Sequence, residues 1–506
     1  MTAHFDTSPI SGHSVSSLLA ERARKTPHEP YLIDENGSVL SFLEVEQRAK
    51  NVAGMIAAQG VEPNQSVAFA LSNGIDAALV ILGAFYGGYM AVAINLVAGQ
   101  DTISYVLEHS QARLVLHDAR AESLINAALT DHQNPPDLVQ VSDDVFTSEV
   151  TTPVAVDTNT GGLLMYTSGT TGRPKGVVLT HENLLAGGQN AVLAHALKPT
   201  DRALCVLPLY HINGLCVTLL GPLVSGGSVV IPPKFRVSTF WEIVARNTCT
   251  WMSLVPTQIS YLLHDVQLTE PLSHVRFARS ASAPLSPDVQ TAFETAFGIP
   301  IVETMGLTET AAQILSNPLP PGKRKIGSPG VPFGNEVVVA DPLGNEMPRG
   351  EEGELLVRGP NVMREYLDNE KATNECLTSD GWLRTGDLGC MDVDGYVFIT
   401  GRLKELIIKG GENIAPREID DALYSHPDVI EAAAFALPCP HYGEKIEAGV
   451  VLEEGTEIDG PGLVAHCVRK VGSFKAPDHV HIFDELPKGP SGKIQRIKLA
   501  ALVSRS

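Results

Sequence analysis

Between Tyr166 and Gly176 the chain reads Tyr-Thr-Ser-Gly-Thr-Thr-Gly-Arg-Pro-Lys-Gly. Thr167, Ser168, Thr170 and Thr171 supply hydroxyls, Gly169, Gly172 and Gly176 supply pliable backbone, and Arg173 and Lys175 supply positive charge. Glycines let successive N–H groups turn toward one point, and such nests bind anions. Hydroxyls add donors, and the Lys175 ammonium adds a compact charge. This combination can hold a polyphosphate. Its spacing is not that of the ordinary nucleotide P-loop, G-x-x-x-x-G-K-[ST]. Counted from Gly169, the sixth residue is Pro174, and Gly176 follows the lysine.

Such a loop needs firm ends. The apolar run Gly162-Leu163-Leu164-Met165 predicts a buried strand before it, and Val177-Val178-Leu179 predicts another after it, with a helix opening near Thr180. Upstream, two amphipathic helical patterns between Ser14 and Gly60 flank a strand–turn region from Tyr31 to Leu40. The runs at 67–70, 91–94 and 114–116 then alternate with helical stretches. The uncharged span from Ala77 to Gln100 is long enough to raise a membrane question. Its glycines, Asn95 and the Gly87-Gly88-Tyr89 break make it a buried helix leading into a strand. Residues 131–160 read as a surface connection.

Beyond the loop, strands are expected at 203–207, 228–231, 273–281, 301–302 and 337–340, and an apolar helix at 215–224. The alternation predicts an α/β fold of layered, largely parallel sheets. Turn pairs between about Gly330 and Thr400 predict a β-rich subdomain. A boundary near Lys404 divides a large N-terminal domain, 1–403, from a small C-terminal α+β domain, 404–506.

A chain of 506 residues exceeds one ordinary core. Its formal charge of −21 argues against nucleic acid or an anionic membrane as partner. An anionic substrate must therefore be drawn in by local charge. The seven cysteines are scattered without a C-x-x-C, which suggests neither a disulfide framework nor a zinc site. No signal-peptide pattern stands at the N-terminus. A soluble cytoplasmic protein, monomer or homodimer, is expected, with no membrane insertion.

The loop resembles the signature of the AMP-forming acyl- and aryl-CoA synthetases, the adenylate-forming superfamily, and further segments from 166 to 496 resemble that family in order. The resemblance implies ATP, Mg²⁺ and coenzyme A as reactants alongside a small carboxylic acid, with Thr170 and Glu309 at the metal. Thr304-Met305-Gly306-Leu307-Thr308-Glu309 is similar to the second nucleotide motif, with Thr308 on the α-phosphate and Met305 where an aromatic ring usually stacks on adenine. Ser282-Ala283-Pro284 would lie along the other face of the base. Asp387, in Arg384-Thr385-Gly386-Asp387, would accept from the ribose hydroxyls, with Arg402 at the ribose or phosphate and Lys404 at a hinge. Lys493, in Lys488-Gly489-Pro490-Ser491-Gly492-Lys493, would stabilise charge during adenylation. It lies far beyond the hinge, so the family resemblance implies a mobile small domain that closes, then rotates to admit the thiol past Lys409, Gly410, Gly411 and Glu412.

Pro208-Leu209-Tyr210-His211-Ile212-Asn213-Gly214 is where relatives place the acid, so His211 and Asn213 are expected beside it. With Arg279-Ser280-Ala281-Ser282 and Ser316-Asn317-Pro318, the pattern looks especially like the oxalate–CoA ligases. A short diacid needs a second cation or several donors, for which Arg279, His211 and the cluster Lys323-Arg324-Lys325 are candidates, the last also reading as a solvated loop. Oxalate ligases carry a histidine where this chain has Ala312, which favours another small anion such as sulfoacetate or malonate. Loading of a carrier protein and a medium-chain or aromatic acid are the alternatives.

Overall fold

In the computed structural model, which describes residues 10–147, 155–167, 173–265, 272–489 and 494–504, the apolar runs assemble into four sheets. One has seven strands in the order Glu365–Tyr366, Lys175–Thr180, Gly161–Thr167, Met90–Ala93, Ser66–Ala70, Leu114–His117 and Asp137–Gln140. From Gly161–Thr167 to Asp137–Gln140 all pairs are parallel. Gly161–Thr167 then turns back antiparallel on Lys175–Thr180, with Thr167 opposite Lys175. The expected phosphate loop thus joins the two strands of a hairpin, although Ser168, Gly169, Thr170, Thr171 and Gly172 lie outside the described residues.

The expected helix opens at Thr180. The Thr180 hydroxyl accepts from the Asn183 N–H at 3.1 Å, and the Asn183 side chain accepts from the Thr180 N–H at 2.9 Å. This reciprocal cap starts the helix His181–His195. Residues 131–160 are not merely a connection, because Asp137–Gln140 extends the sheet and a 3₁₀ turn, Asp143–Phe146, buries Val145 and Phe146. The strand is short, at a sheet edge and polar at both ends, so it carries little apolar signal.

The second sheet has nine strands: Val331–Pro332, Ala312–Ser316, Ile301–Leu307, Phe277–Ser280, Trp251–Leu254, Arg202–Cys205, Ser228–Val230, Pro30–Ile33 and Val39–Ser41. Its central pairs are parallel. The apolar segment expected as one helix is wound as a wide π-type helix over Asn213–Leu220 before a short α-helix, Gly221–Ser225. A large apolar core with residues from both sheets includes Leu163, Leu179, Leu215, Trp251 and Phe277.

The β-rich subdomain is an antiparallel sheet of Glu336–Ala340, Glu352–Arg358, Leu383–Met391 and Val397–Arg402. The C-terminal sheet contains Glu412–Ile414, Ile407–Lys409, Gly443–Leu452, Val429–Cys439 and His479–Ile482. With the helices Pro416–Tyr424 and Gly460–Lys475 it has a core of its own, including Ile407, Leu423, Val450 and Leu463. The fold is therefore the expected α/β architecture with a small C-terminal α+β unit. Among the described residues no helix is long and apolar enough to cross a membrane.

Candidate active site

Glu309 stands in a 3₁₀ turn, Thr308–Thr310, at the end of the strand Ile301–Leu307. The chain reverses there so tightly that a Cβ on Gly306 would come within 1.7 Å of the Ala312 carbonyl oxygen. Ala311 and Ala312 take positive φ, 45° and 81°, to complete the reversal. Thr308 is half-buried on the same turn. Glu309 accepts a hydrogen bond from the Tyr366 hydroxyl at 2.8 Å. The Lys175 ammonium lies 4.6 Å from the centre of the Tyr366 ring. Tyr366 gets there because Glu365–Tyr366 adds to the hairpin, with Tyr366 opposite Val177. Burial, and then Glu309, push the Tyr366 phenol far above its ordinary range, so it remains a donor. The sequence reading missed Tyr366, which belongs to none of the motifs.

Some motif residues prove to be structural in their contacts. The Thr304 hydroxyl donates to the Ser280 carbonyl at 3.0 Å. Met305 and Leu307 pack against Ile314, Leu315 and Val337 of a neighbouring core. Ser282 takes φ of 73°, with Ala283 half-buried and Pro284 exposed after it.

Asp387 and Arg402 face each other across neighbouring strands, Oδ1 to Nε 3.3 Å. Burial of Arg402 opposes its charge, but Asp387, Glu405 and Glu309 outweigh it and hold the guanidinium above its ordinary pKa. Lys404 is exposed just beyond. Gly410 and Gly411, at φ 62° and 87°, turn the chain between Ile407–Lys409 and Glu412–Ile414 on the small sheet.

Four of the expected acid-binding residues, His211, Asn213, Arg279 and Ser282, form one linked network. His211 Nδ1 accepts from the Asn213 N–H at 3.3 Å, and burial pushes its imidazole down to about 4, so it is neutral near pH 7. The Asn213 amide nitrogen donates to the Ser282 hydroxyl at 3.4 Å. Its oxygen accepts from Arg279 Nη1 at 2.6 Å and from the Ser253 hydroxyl at 3.3 Å. Arg279 is only 1% exposed. Burial lowers its guanidinium to about 9, which leaves it charged at neutral pH. The Ser280 hydroxyl is buried beside it in the chain and has no hydrogen bond among the described residues.

Two expectations fail here. Ala312 is buried in the main core, with its carbonyl held by the Thr310 hydroxyl at 3.0 Å, so it offers the acid no polar group. Lys323, Arg324 and Lys325 are consumed elsewhere: Arg324 pairs with Glu294, Lys325 with Asp392 and Asp394, and Lys323 with Asp394 at 3.6 Å. Sequence alone cannot show that acidic partners dozens of residues away absorb a basic run.

Lys493 lies outside the described residues together with 490–492, but Lys488 and Ile494 on either side are described. Lys488 pairs across the backbone with Ile494. The Lys488 ammonium meets Glu431 at 2.6 Å and the Tyr261 hydroxyl at 2.8 Å, and Tyr261 donates to Glu431 at 3.0 Å. Tyr261 belongs to the helix Pro256–Asp265 beside the nine-stranded sheet, whereas Glu431 belongs to the small sheet. The knot therefore spans the two units.

The AMP-binding enzyme family matches residues 19–367, and the AMP-binding enzyme C-terminal domain matches residues 418–493. This chain belongs to the AMP-binding enzyme family. Among AMP-binding enzymes it is 47% identical to the sulfoacetate–CoA ligase of Cupriavidus necator, over 97% of this chain and 98% of that protein. It is 34% identical to the oxalate–CoA ligase of Arabidopsis thaliana, over 96% and 98% of the two chains. The crystal structure of ATP-bound MatB from Rhodopseudomonas palustris matches with a TM-score of 0.89 at 30% identity, covering 97% of this chain and 99% of that one. At the same identity and coverage, apo MatB matches with 0.78.

Proposed function

We propose that this AMP-binding enzyme joins coenzyme A to a short acid that carries a second anionic group, such as sulfoacetate or malonate. Its class is that of its relatives, an AMP-forming acid–CoA ligase that uses ATP. In the first half-reaction a carboxylate oxygen bonds to the α-phosphorus and pyrophosphate leaves. In the second, the thiol loses its proton, sulfur bonds to the acyl carbon and AMP leaves.

The observation that carries the choice of acid is Arg279. Burying a guanidinium costs several kcal/mol unless an anion offsets it, and no carboxylate among the described residues does so. The group that completes the site is then the substrate's second anion. The relative named for sulfoacetate supports that reading.

On this reading His211 and Asn213 line the acid pocket, Ser280 and Ser282 lie near it, and the Thr167–Lys175 segment holds the triphosphate. Thr308 meets the α-phosphate, and Asp387 and Arg402 hold the ribose. The half-exposed Glu309 carboxylate, with a neutral hydroxyl as its hydrogen-bond partner, suits Mg²⁺, which takes one or two carboxylates plus substrate phosphates. Bound there, Mg²⁺ would neutralise phosphate charge. Lys493 approaches from the small domain, 404–506, which pivots at Lys404 on the large one, 1–403. The better match to ATP-bound than to apo MatB supports an ATP-binding arrangement for the conformation described. The seven cysteines, all free thiols, suit a reducing cytoplasm.

The test is thioester formation by mass spectrometry with Mg-ATP, CoA and a panel of sulfoacetate, malonate, oxalate and acetate. A CoA adduct of sulfoacetate or malonate, absent without ATP, is expected. AMP release without any adduct would instead point to a carrier protein as acceptor, and turnover of acetate alone would overturn the dianion reading.

A further inference from the structure

Arg279 is held by three neutral acceptors. Nη1 donates to the Asn213 oxygen at 2.6 Å and to the Ser253 hydroxyl at 3.0 Å, and Nε donates to Gln313 Oε1 at 3.2 Å. Nη2 makes no hydrogen bond among the described residues. Three half-buried cations of this molecule are treated differently. Arg402 meets Asp387, Arg496 meets Asp420, and Lys488 meets Glu431. Neutral acceptors can aim a guanidinium without cancelling its charge, whereas a resident carboxylate does both.

Gln313 is central to that cradle. It is fully buried, and its Oε1 accepts a second hydrogen bond from His195 Nε2 at 3.1 Å while its Nε2 donates to the Asn190 carbonyl at 3.3 Å. Burial pushes the His195 imidazole down to about 3, so the ring is neutral and donates from Nε2. With two donors on its oxygen and an acceptor on its nitrogen, the amide cannot flip without breaking all three bonds. A glutamate of the same shape would accept the same two hydrogen bonds. It would also place a permanent negative charge on Arg279.

We propose that Gln313 is a specificity-determining residue: by holding Arg279 through a neutral amide, with Asn213 and Ser253, it keeps the guanidinium's charge available to the second anion of the acid. This rests on the reading of Arg279 as a substrate residue. An acid with one carboxylate leaves Arg279 uncompensated and is disfavoured; an acid with a distal sulfonate or carboxylate completes the ion pair.

The experiment compares sulfoacetate with propionate as substrates of the full-length enzyme, reading kcat and KM separately. Gln313→Glu should raise KM for sulfoacetate at least tenfold with little change for propionate, so the preference ratio falls at least tenfold. A ratio unchanged in folded Gln313→Glu protein overturns the proposal. Asn213→Asp places the carboxylate on Nη1 instead, and carries the same test if Gln313→Glu does not fold. Arg279→Met separates the two readings. If it leaves the preference intact, Arg279 does not read the second anion and both fall. If it abolishes the preference while neither carboxylate variant alters it, only the role of Gln313 falls.

Discussion

Tyr366 and Glu309 stand 57 positions apart in the chain, and the Tyr366 hydroxyl donates to the Glu309 carboxylate at 2.8 Å. One carboxylate oxygen is thereby fixed in direction and the other is left for a ligand, while the tyrosine ring underlies the Lys175 ammonium. If Glu309 holds Mg²⁺, Tyr366→Phe frees the carboxylate to turn and removes a hydrogen bond to a charged group, worth about 1.5–3 kcal/mol. The expected outcome is a rise of about tenfold or more in the Mg²⁺ concentration that supports pyrophosphate exchange. A matching loss should appear in the thermal shift produced by Mg-ATP, with KM for the acid unchanged.

Tyr261, Glu431 and Lys488 tie the segment ending at Lys488 and the small sheet to the helix Pro256–Asp265 of the large unit. Glu431 is buried, and its Oε2 has no hydrogen bond among the described residues, so its charge depends on Lys488 and Tyr261. Glu431→Gln and Tyr261→Phe should loosen this contact between the two units and slow adenylation about tenfold or more, by the loss of charge-assisted hydrogen bonds. Thioester formation from supplied acyl-adenylate should change little. Equal slowing of both steps would refute the latch.

Lys493→Ala should abolish adenylate formation and spare thioester formation from the same supplied intermediate. Lys404→Pro, which restricts the proposed pivot, should instead separate the two steps by trapping one orientation. Stopped-flow measurement of each half-reaction distinguishes these patterns.

Glu303 gives the molecule a pH signature. Burial pushes its carboxyl up from 4.5 to about 7, against the opposing pull of Arg417 and the Leu285 N–H and with some help from Asp421. Between pH 4.5 and 7 the unfolded chain gives up this proton while the folded chain keeps it, so stability falls as pH rises and levels off above 7. The total is roughly 3 kcal/mol. Glu303→Gln should be more stable than the parent at pH 8 and should lack that slope. Urea denaturation at pH 5, 6 and 8 measures it.

The parts legible in the sequence are those in which neighbours in the chain do the work. The helix start at Thr180 and the two strands on either side of the expected phosphate loop follow short, patterned stretches. Gln313, Ser253 and His195 were not legible, because each sits in an apolar strand or helix and acquires meaning only when Arg279 arrives from another strand. The same holds for Glu431, a lone acid among alanines in Ile430-Glu431-Ala432-Ala433-Ala434 until Lys488 folds onto it. Ala312 is buried in the core and not in a pocket, because the reversal through Thr308–Thr310, completed by positive φ at Ala311 and Ala312, turns it inward.

The two-residue strand Glu365–Tyr366 has a consequence beyond aiming one hydroxyl. It is the terminal strand of its sheet, hydrogen-bonded along Val177 and Val178, the apolar edge of the hairpin that carries the proposed phosphate loop. Bare edges of that kind recruit strands from other molecules. A sequence change that peels this segment away would therefore disarm Glu309 and uncover an adhesive edge in the same event. Loss of activity and onset of aggregation would then share one cause.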